Sequence, residues 1–301
     1  GRHSTDWSAR LGSTPRLPIP DRPRILLHAV SVGEVNAIRV LVAGLLDSRC
    51  QPEIVVAVTT DTGHDRAMTL FGETCRVVRY PLDLSWSVRR FLDCIRPDVA
   101  AMVELEVWPN FSAECVRRGI PLAVVNGRLS QRSYRGYRRF RRFIRPMFAR
   151  IECAAVQTDE YAGRFERLGT DPGAIVRTGT MKWDAAIIED DVAGADRLAD
   201  ELGIDRSRPL VVAGSTAPDE HRLLVESVPE GVQLLCAPRR PEWFDGAAEA
   251  LPGCARRSRE DRGSETGRFL LDTIGELRKA YALADVVVVG RSFGVLHGSD
   301  M

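Results

Sequence analysis

Short apolar runs rich in β-branched residues recur almost from end to end of the chain, separated by stretches of helical length, and this alternation restricts the fold more than any other feature. Arg24–Val30, Glu53–Thr60, Arg76–Tyr80, Val99–Glu104, Pro121–Asn126, Ile151–Gln157 and Ile175–Gly179 read as strands. In Ile25-Leu26-Leu27 and Val55-Val56-Ala57-Val58 both alternating faces are apolar, so such strands need cover on two sides. Parallel sheets wrapped by helices, an α/β fold, satisfy that need. A polar stretch from Trp183 to Arg208, carrying the acidic run Glu189-Asp190-Asp191, interrupts the pattern before it resumes with Leu210–Ala213, Val232–Cys236, Phe269–Leu271 and Val286–Gly290. A domain boundary is expected there, giving domains 1–182 and 183–301. The second domain is expected to be incomplete, because a doubly wound sheet normally continues past its fourth strand. Arg256–Gly267, rich in Gly, Ser and Arg, reads as an exposed loop.

Composition narrows the partners. The 301 residues suffice for two domains, and 44% hydrophobic with 28% charged residues excludes global disorder. A formal charge of +1 gives no reason to expect nucleic acid as an obligatory partner. Seven scattered cysteines without a C-x-x-C pair point to a reduced, cytosolic chain with buried thiols and no structural zinc. The five histidines show no metal-ligand spacing, and G-x-S-x-G, P-loop and G-x-G-x-x-G signatures are missing from the sequence. No apolar run reaches the ~18 residues of a membrane span, and the first 24 residues lack a signal-peptide core, so the chain is expected neither to cross a membrane nor to be secreted.

The residues that invite chemistry sit at strand ends. His28-Ala29-Val30-Ser31-Val32-Gly33-Glu34 places a glycine and a carboxylate where a parallel sheet binds ligands; a helix-capping role for Glu34 is the competing reading. Glu104 and Glu106 end the fourth strand and share a face if the strand continues. If Glu34 and Glu104 approach each other, burial and like charge raise the pKa of one, as a carboxylate base requires. Ala213-Gly214-Ser215-Thr216, Cys236–Pro241 with Arg239 and Arg240, and Asp272–Glu276 form three strand-to-helix turns suited to a phosphate-bearing ligand, although each alone is also ordinary capping. Lys182, beside Gly179, offers a cation to the same ligand or is a surface lysine. From Arg128 to Arg150 there are nine arginines and no acids, with Tyr134, Tyr137, Phe140 and Phe143 spaced by three. On a helix this is an aromatic stripe flanked by guanidinium groups, fit either for an anionic membrane surface or for packing on the sheet under solvated arginines. Nucleic acid is the least favoured partner, since no nucleic-acid motif accompanies the patch.

Taken in order, His28–Glu34, Val58–Gly63, Tyr80–Asp83, Glu104–Asn110, Asn126–Ser130, Ala213–Thr216, Pro238–Pro241 and Asp272–Leu277 resemble the 3-deoxy-D-manno-octulosonic acid (Kdo) transferases, from about residue 24 onward. The resemblance implies a GT-B architecture, two Rossmann-like domains facing across a cleft, and inverting, metal-independent transfer of Kdo from CMP-Kdo to a lipid A precursor at the cytoplasmic face of the inner membrane. By position it implies Glu34 as general base, Glu104 and Lys182 as support for the transition state, and Pro238, Arg239, Ile274, Gly275 and Glu276 as the residues that hold CMP, with no further cofactor. The family's apolar anchor helix is not seen ahead of the first strand, and its N-P-L-E segment is not reached after His297. Membrane association is therefore expected to rest on the basic surface and to be salt-sensitive. Three motifs differ from the family pattern: Gly179-Thr180-Met181-Lys182, Ala217 after Ser215-Thr216, and Val289-Gly290-Arg291-Ser292. Another GT-B enzyme such as an epimerase, and a non-catalytic membrane- or partner-binding module on the same fold, are the alternatives.

Overall fold

The computed structural model describes residues 7–105, 108–184 and 191–293. The chain divides into two compact units, Gly1–Ile187 and Ile188–Met301. In the first, seven strands, β1 (Arg24–Ala29), β2 (Glu53–Val58), β3 (Arg76–Arg79), β4 (Val99–Val103), β5 (Leu122–Gly127), β6 (Ile151–Val156) and β7 (Ile175–Arg177), form one sheet in the order β3-β2-β1-β4-β5-β6-β7. Every pairing is parallel. The strand order reverses between β1 and β4, the topological switch point of a doubly wound sheet.

Both faces of this sheet are covered, as the apolar runs require. Leu26, Val55, Ala57, Ala100 and Met102 point into a core with Val88, Phe91 and Leu92 of helix Ser85–Ile95 and Phe111 of helix Pro109–Arg118. Their neighbours Leu27, Ala29, Ile54, Val56 and Val58 point the other way, against Val35, Ile38, Val42 and Ala67. Helix Pro109–Arg118 starts with proline, whose missing N–H costs nothing at that position. Its next two amides, of Asn110 and Phe111, donate to the Asp83 carboxylate at 2.9 and 2.8 Å. Asp83, two elements earlier, thus caps the helix that follows β4.

The second unit carries β8 (Leu210–Thr216), β9 (Gln233–Pro238), β10 (Ala255–Arg256), β11 (Arg268–Leu270) and β12 (Val286–Val289), all parallel, in the order β10-β11-β9-β8-β12. Here the order reverses between β8 and β12. Leu210, Val212, Leu235 and Phe269 pack on helix Ala195–Leu202, while Ala213, Leu234, Cys236 and Leu270 face Leu224 and Ala247 on the other side.

Several expectations need correction. Ala213-Gly214-Ser215-Thr216 is the end of β8 itself, with an irregularity in its pairing between Gly214 and Thr216 and Ser215 at φ 56°. Arg256, read as loop, lies in β10. Of the seven free thiols, Cys75, Cys115 and Cys236 are buried, Cys94 and Cys254 are half-buried, and Cys50 and Cys153 are exposed. The aromatic stripe is not one helix: helix Gln131–Arg139 ends at Phe140 and helix Arg141–Phe148 begins there. Among the described residues no helix is long and apolar enough to cross a membrane.

Replacing Asp83 with alanine leaves two helix-start amides uncapped. It is expected to cost about 1–2 kcal/mol, read as a lower urea midpoint at unchanged slope.

Candidate active site

In a parallel sheet all strands point their carboxyl ends to one edge, and the switch point opens a crevice there. In the first unit, the strands flanking that point are β1 and β4, and each delivers a carboxylate. After β1, Ser31 caps helix Val32–Ala37, and Glu34 occupies its first turn. The Glu34 carboxylate folds back to accept the Val30 N–H at 2.7 Å and the Ser31 hydroxyl at 3.1 Å. The capping reading of Glu34 is therefore true of its geometry, but capping does not exhaust its chemistry. Burial raises its pKa above the ordinary 4.5; the Val30 and Ser31 hydrogen bonds pull it down, and the like charge of Glu104 adds to the rise. Glu34 and Glu104 follow β1 and β4, the two strands that flank the switch point.

Glu104 follows β4 directly and takes the left-handed conformation, φ 59°, uncommon for a residue with a long side chain. Its backbone closes the β4–β5 ladder, the N–H donating to the Val125 carbonyl at 3.0 Å and the carbonyl accepting from Arg128 N–H at 3.4 Å. The strand alternation ends at Val103, so the face shared by Glu104 and Glu106 does not follow from strand geometry; Glu106 lies outside the described residues.

The loop that carries Glu34 is fixed from β2. The Thr60 hydroxyl donates to the Val30 carbonyl at 2.7 Å and accepts from Gly63 N–H at 3.2 Å. A Cβ on Gly63 would stand 2.7 Å from the Thr60 hydroxyl and 2.9 Å from Val58 Cγ1, so the helix approaches too closely for any other residue. Gly33 is different. A Cβ there would meet nothing nearer than the Ser31 hydroxyl at 3.8 Å, and the residue is exposed, so packing within the chain does not account for it. Beneath the loop His28 is fully buried, stacked on Tyr80 at 3.6 Å, with Nε2 3.0 Å from the Thr59 hydroxyl. Burial drives its pKa down to about 3, which keeps it neutral.

Lys182 reaches the same edge by a different route. Met181 packs against the core face that holds Val35 and Ile38, and its N–H donates to Asn126 Oδ1 at the end of β5, 3.1 Å away. Lys182, next in the short helix Met181–Asp184, is exposed. The first unit thus brings Glu34, Glu104 and the Lys182 turn to the carboxyl edge of one sheet.

The second unit does the same for the residues assigned to a nucleotide. Pro238 ends β9 and Arg239 follows it; Ile274, Gly275 and Glu276 follow its neighbour β11. Arg239 and Ile274 are exposed, and Gly275, at φ 94°, has open space where a Cβ would be. Glu276 is held by Thr273 at 2.8 Å, Arg257 at 3.1 Å and Lys279 at 3.2 Å. Those partners outweigh burial and lower its pKa to about 2. Asp272 is likewise fixed by Arg256 at 2.8 Å and by the Ser258 N–H and hydroxyl at 2.7 and 2.6 Å. Arg256, Arg257 and Ser258, assigned to a loop by composition, are the scaffold of this turn. The end of β8 at Ala213–Thr216 is less open than its sequence suggests, because buried Glu220 accepts the amides of Ala217 at 2.9 Å and Ser292 at 3.1 Å. Among the described residues no group of three or more His, Cys, Asp or Glu side chains is arranged to hold a metal.

The basic segment divides by depth. Tyr134 is buried, Tyr137 is half-buried against the core, and Phe148 stands 6.2 Å from the Tyr137 ring. Phe140 and Phe143 are 60% and 76% exposed. Eight of the nine arginines are exposed, Arg150 being half-buried. Arg132, Ser133, Gly136, Tyr137, Phe140 and Ile144 line a shallow groove of about 520 Å³.

Residues 5–185 match the sequence family described as 3-deoxy-D-manno-octulosonic-acid transferase (kdotransferase). The chain is 31% identical to a 3-deoxy-D-manno-octulosonic acid transferase of Haemophilus influenzae over 99% of its own length and 71% of that protein's. It is 33% identical to one of Bordetella pertussis, over 97% and 72%. Among solved structures it is similar to a UDP-GlcNAc 2-epimerase of Neisseria meningitidis (TM-score 0.58, 10% identity, covering 88% of this chain and 77% of that one). It is also similar to MurG of Acinetobacter baumannii (TM-score 0.55, 11% identity, 89% and 73%). At such identities the likeness is one of fold, and that fold is GT-B.

A carboxyl whose folded pKa is raised contributes stability below its unfolded pKa and loses it as pH rises through the folded value. Glu34→Gln does not titrate. Its melting temperature relative to the parent protein is therefore expected to move in the variant's favour between pH 4 and pH 7, in parallel thermal scans.

Proposed function

The chain belongs to the 3-deoxy-D-manno-octulosonic-acid transferase family of glycosyltransferases, and from that premise we propose that it transfers Kdo from CMP-Kdo to a lipid A precursor, with inversion, at the cytoplasmic face of the inner membrane. The observation that carries the reading is the place of Glu34, a half-buried carboxylate in the first helical turn after β1 at the switch point of the first sheet, where burial raises its pKa and the charge of Glu104 adds to the rise. In the proposed step the acceptor hydroxyl attacks the anomeric carbon of Kdo while Glu34 takes its proton. The bond from that carbon to the phosphate oxygen of CMP breaks, and its electron pair leaves with the phosphate. A carboxylate with a raised pKa is a better base near neutral pH, and general bases contribute about 10²–10⁴ in rate. Glu104 and Lys182 support the charge that develops. Pro238, Arg239, Ile274, Gly275 and Glu276 hold the CMP portion, with Arg239 as the exposed cation. No metal or cofactor enters the step.

The acceptor is amphiphilic and phosphorylated, and the Arg128–Arg150 face has matching chemistry. Exposed Phe140 and Phe143 enter the bilayer interface, and the arginines around them meet anionic headgroups.

The direct test is transfer of labelled Kdo, from CMP-Kdo generated in situ, to a tetra-acylated lipid A precursor. Label on the lipid, reduced at least about a hundredfold by Glu34→Ala, supports the reading. Failure of well-folded full-length protein to transfer label would overturn it. For the membrane face, sedimentation with anionic vesicles is expected to fall steeply as ionic strength rises from about 0.1 to 1 M, where screening shortens from about 10 to 3 Å. Phe143→Ser is expected to weaken binding about tenfold at either salt.

A further inference from the structure

Asn126 is the least conspicuous polar residue at the carboxyl edge of the first sheet and the most constrained. It is the last residue but one of β5, takes the left-handed conformation, φ 55°, and is 1% exposed. Asparagine tolerates that conformation better than most residues, because its short amide bonds locally. Here each polar atom of the residue has a separate circumstance. The backbone carbonyl accepts Gln157 Nε2 at 3.0 Å, which ties it to β6. The side-chain oxygen accepts the Met181 N–H at 3.1 Å, a contact spanning 55 residues of sequence. The side-chain nitrogen is buried without a hydrogen-bond partner among the described residues. On its other flank, the two backbone bonds of Glu104, to Val125 and from Arg128, bracket Asn126 and Gly127.

Among the described residues the Met181–Asp184 turn has few other ties. Gly179 before it sits at φ 81° with open space where a Cβ would be, and Thr180, Lys182, Trp183 and Asp184 are half-buried or exposed. Its anchors among the described residues are the Met181 side chain in the core, the Asn126 amide, and two local bonds to Thr180, from Lys182 N–H to the hydroxyl at 3.3 Å and from Trp183 N–H to the carbonyl at 3.2 Å. A buried hydrogen bond to a neutral side chain is worth about 0.5–1.5 kcal/mol. That is enough to decide between one backbone path and several in a turn so lightly held. A reacting group displaced by about 1 Å loses on the order of a hundredfold in rate.

We infer that Asn126 is a positioning residue for the transfer reaction: through its side-chain oxygen it fixes the turn that presents Lys182 at the same sheet edge as Glu104. The inference rests on the reading of Lys182 as a participant in that reaction. Asn126 touches no reacting atom in this scheme and acts through the turn.

Asn126→Gly keeps the left-handed backbone and deletes the side chain, the acceptor with it. Asn126→Asp restores an acceptor of the same reach. In the full-length protein, hydrogen exchange of the Met181 amide is expected to accelerate at least about tenfold in Asn126→Gly and to stay near the parent rate in Asn126→Asp, with melting temperatures confirming that both fold. In Kdo transfer, Asn126→Gly is expected to lower kcat at least about tenfold with KM for CMP-Kdo changed less than about twofold. Adding it to Lys182→Ala should lower kcat no further, because residues acting as one unit are non-additive. Unchanged Met181 exchange in Asn126→Gly overturns the inference, as does a kcat loss that multiplies with that of Lys182→Ala. An unchanged kcat in Lys182→Ala sinks the Lys182 reading and this inference with it. An active-site Lys182 with a fully active Asn126→Gly sinks the inference alone.

Discussion

Two parallel strands in one sheet cannot be joined by a tight turn; the chain must travel back the length of the sheet before it can pair again. Among the described residues that constraint is met ten times, six in the first sheet and four in the second, and it puts every strand's carboxyl end on one edge of its sheet. The return paths bury both faces, so Ile54 to Val58 are all essentially inaccessible. With the faces filled, polar side chains have room only at the edges, and the reversal of strand order decides where along an edge there is space. Glu34 after β1 and Glu104 after β4 come to the same stretch of edge for that reason, although seventy positions separate them.

Around that point much of the motif content serves to hold rather than to react. Asp83 and Asn110 bind each other and start a helix. Thr60 and Gly63 fasten the loop that precedes Glu34. Glu34 itself is both a cap and a half-buried carboxylate, and the two roles compete. The hydrogen bonds that cap the helix stabilise its ionised form, while burial and Glu104 oppose ionisation. In the second unit the balance falls the other way. Three partners surround Glu276 and leave it ionised, a fixed charge beside the exposed Ile274-Gly275 turn.

The strands and their parallel arrangement were legible because burial on two faces writes itself into composition: β1, β2 and β4 are apolar at nearly every position. What was not legible depended on partners distant in sequence. Arg256 and Arg257 look like solvated loop residues until β11 brings Asp272 and Glu276 beside them. The bond from Met181 to Asn126 has no local signature beyond an Asn-Gly pair at a strand end. Ser215 and Thr216 read as a turn because Gly and Ser mark turns, yet β8 runs through them with an irregular pairing. The aromatic stripe failed for a related reason. A spacing of three residues predicts one drifting face, but the backbone leaves the helical path at Phe140, φ −109°, and the later aromatics turn outward.

That outward turn has a consequence for charge. The chain as a whole is almost neutral at +1, yet residues 128–150 hold nine arginines without an acid. The remainder therefore carries 33 basic against 41 acidic residues, a net −8. Such a molecule is an electrical dipole more than a cation. Near a negatively charged sheet of headgroups, attraction on one face and repulsion from the rest produce a torque before any contact is made. In the membrane role proposed for it, the arginine segment thus sets which way round the protein arrives as well as how strongly it is held.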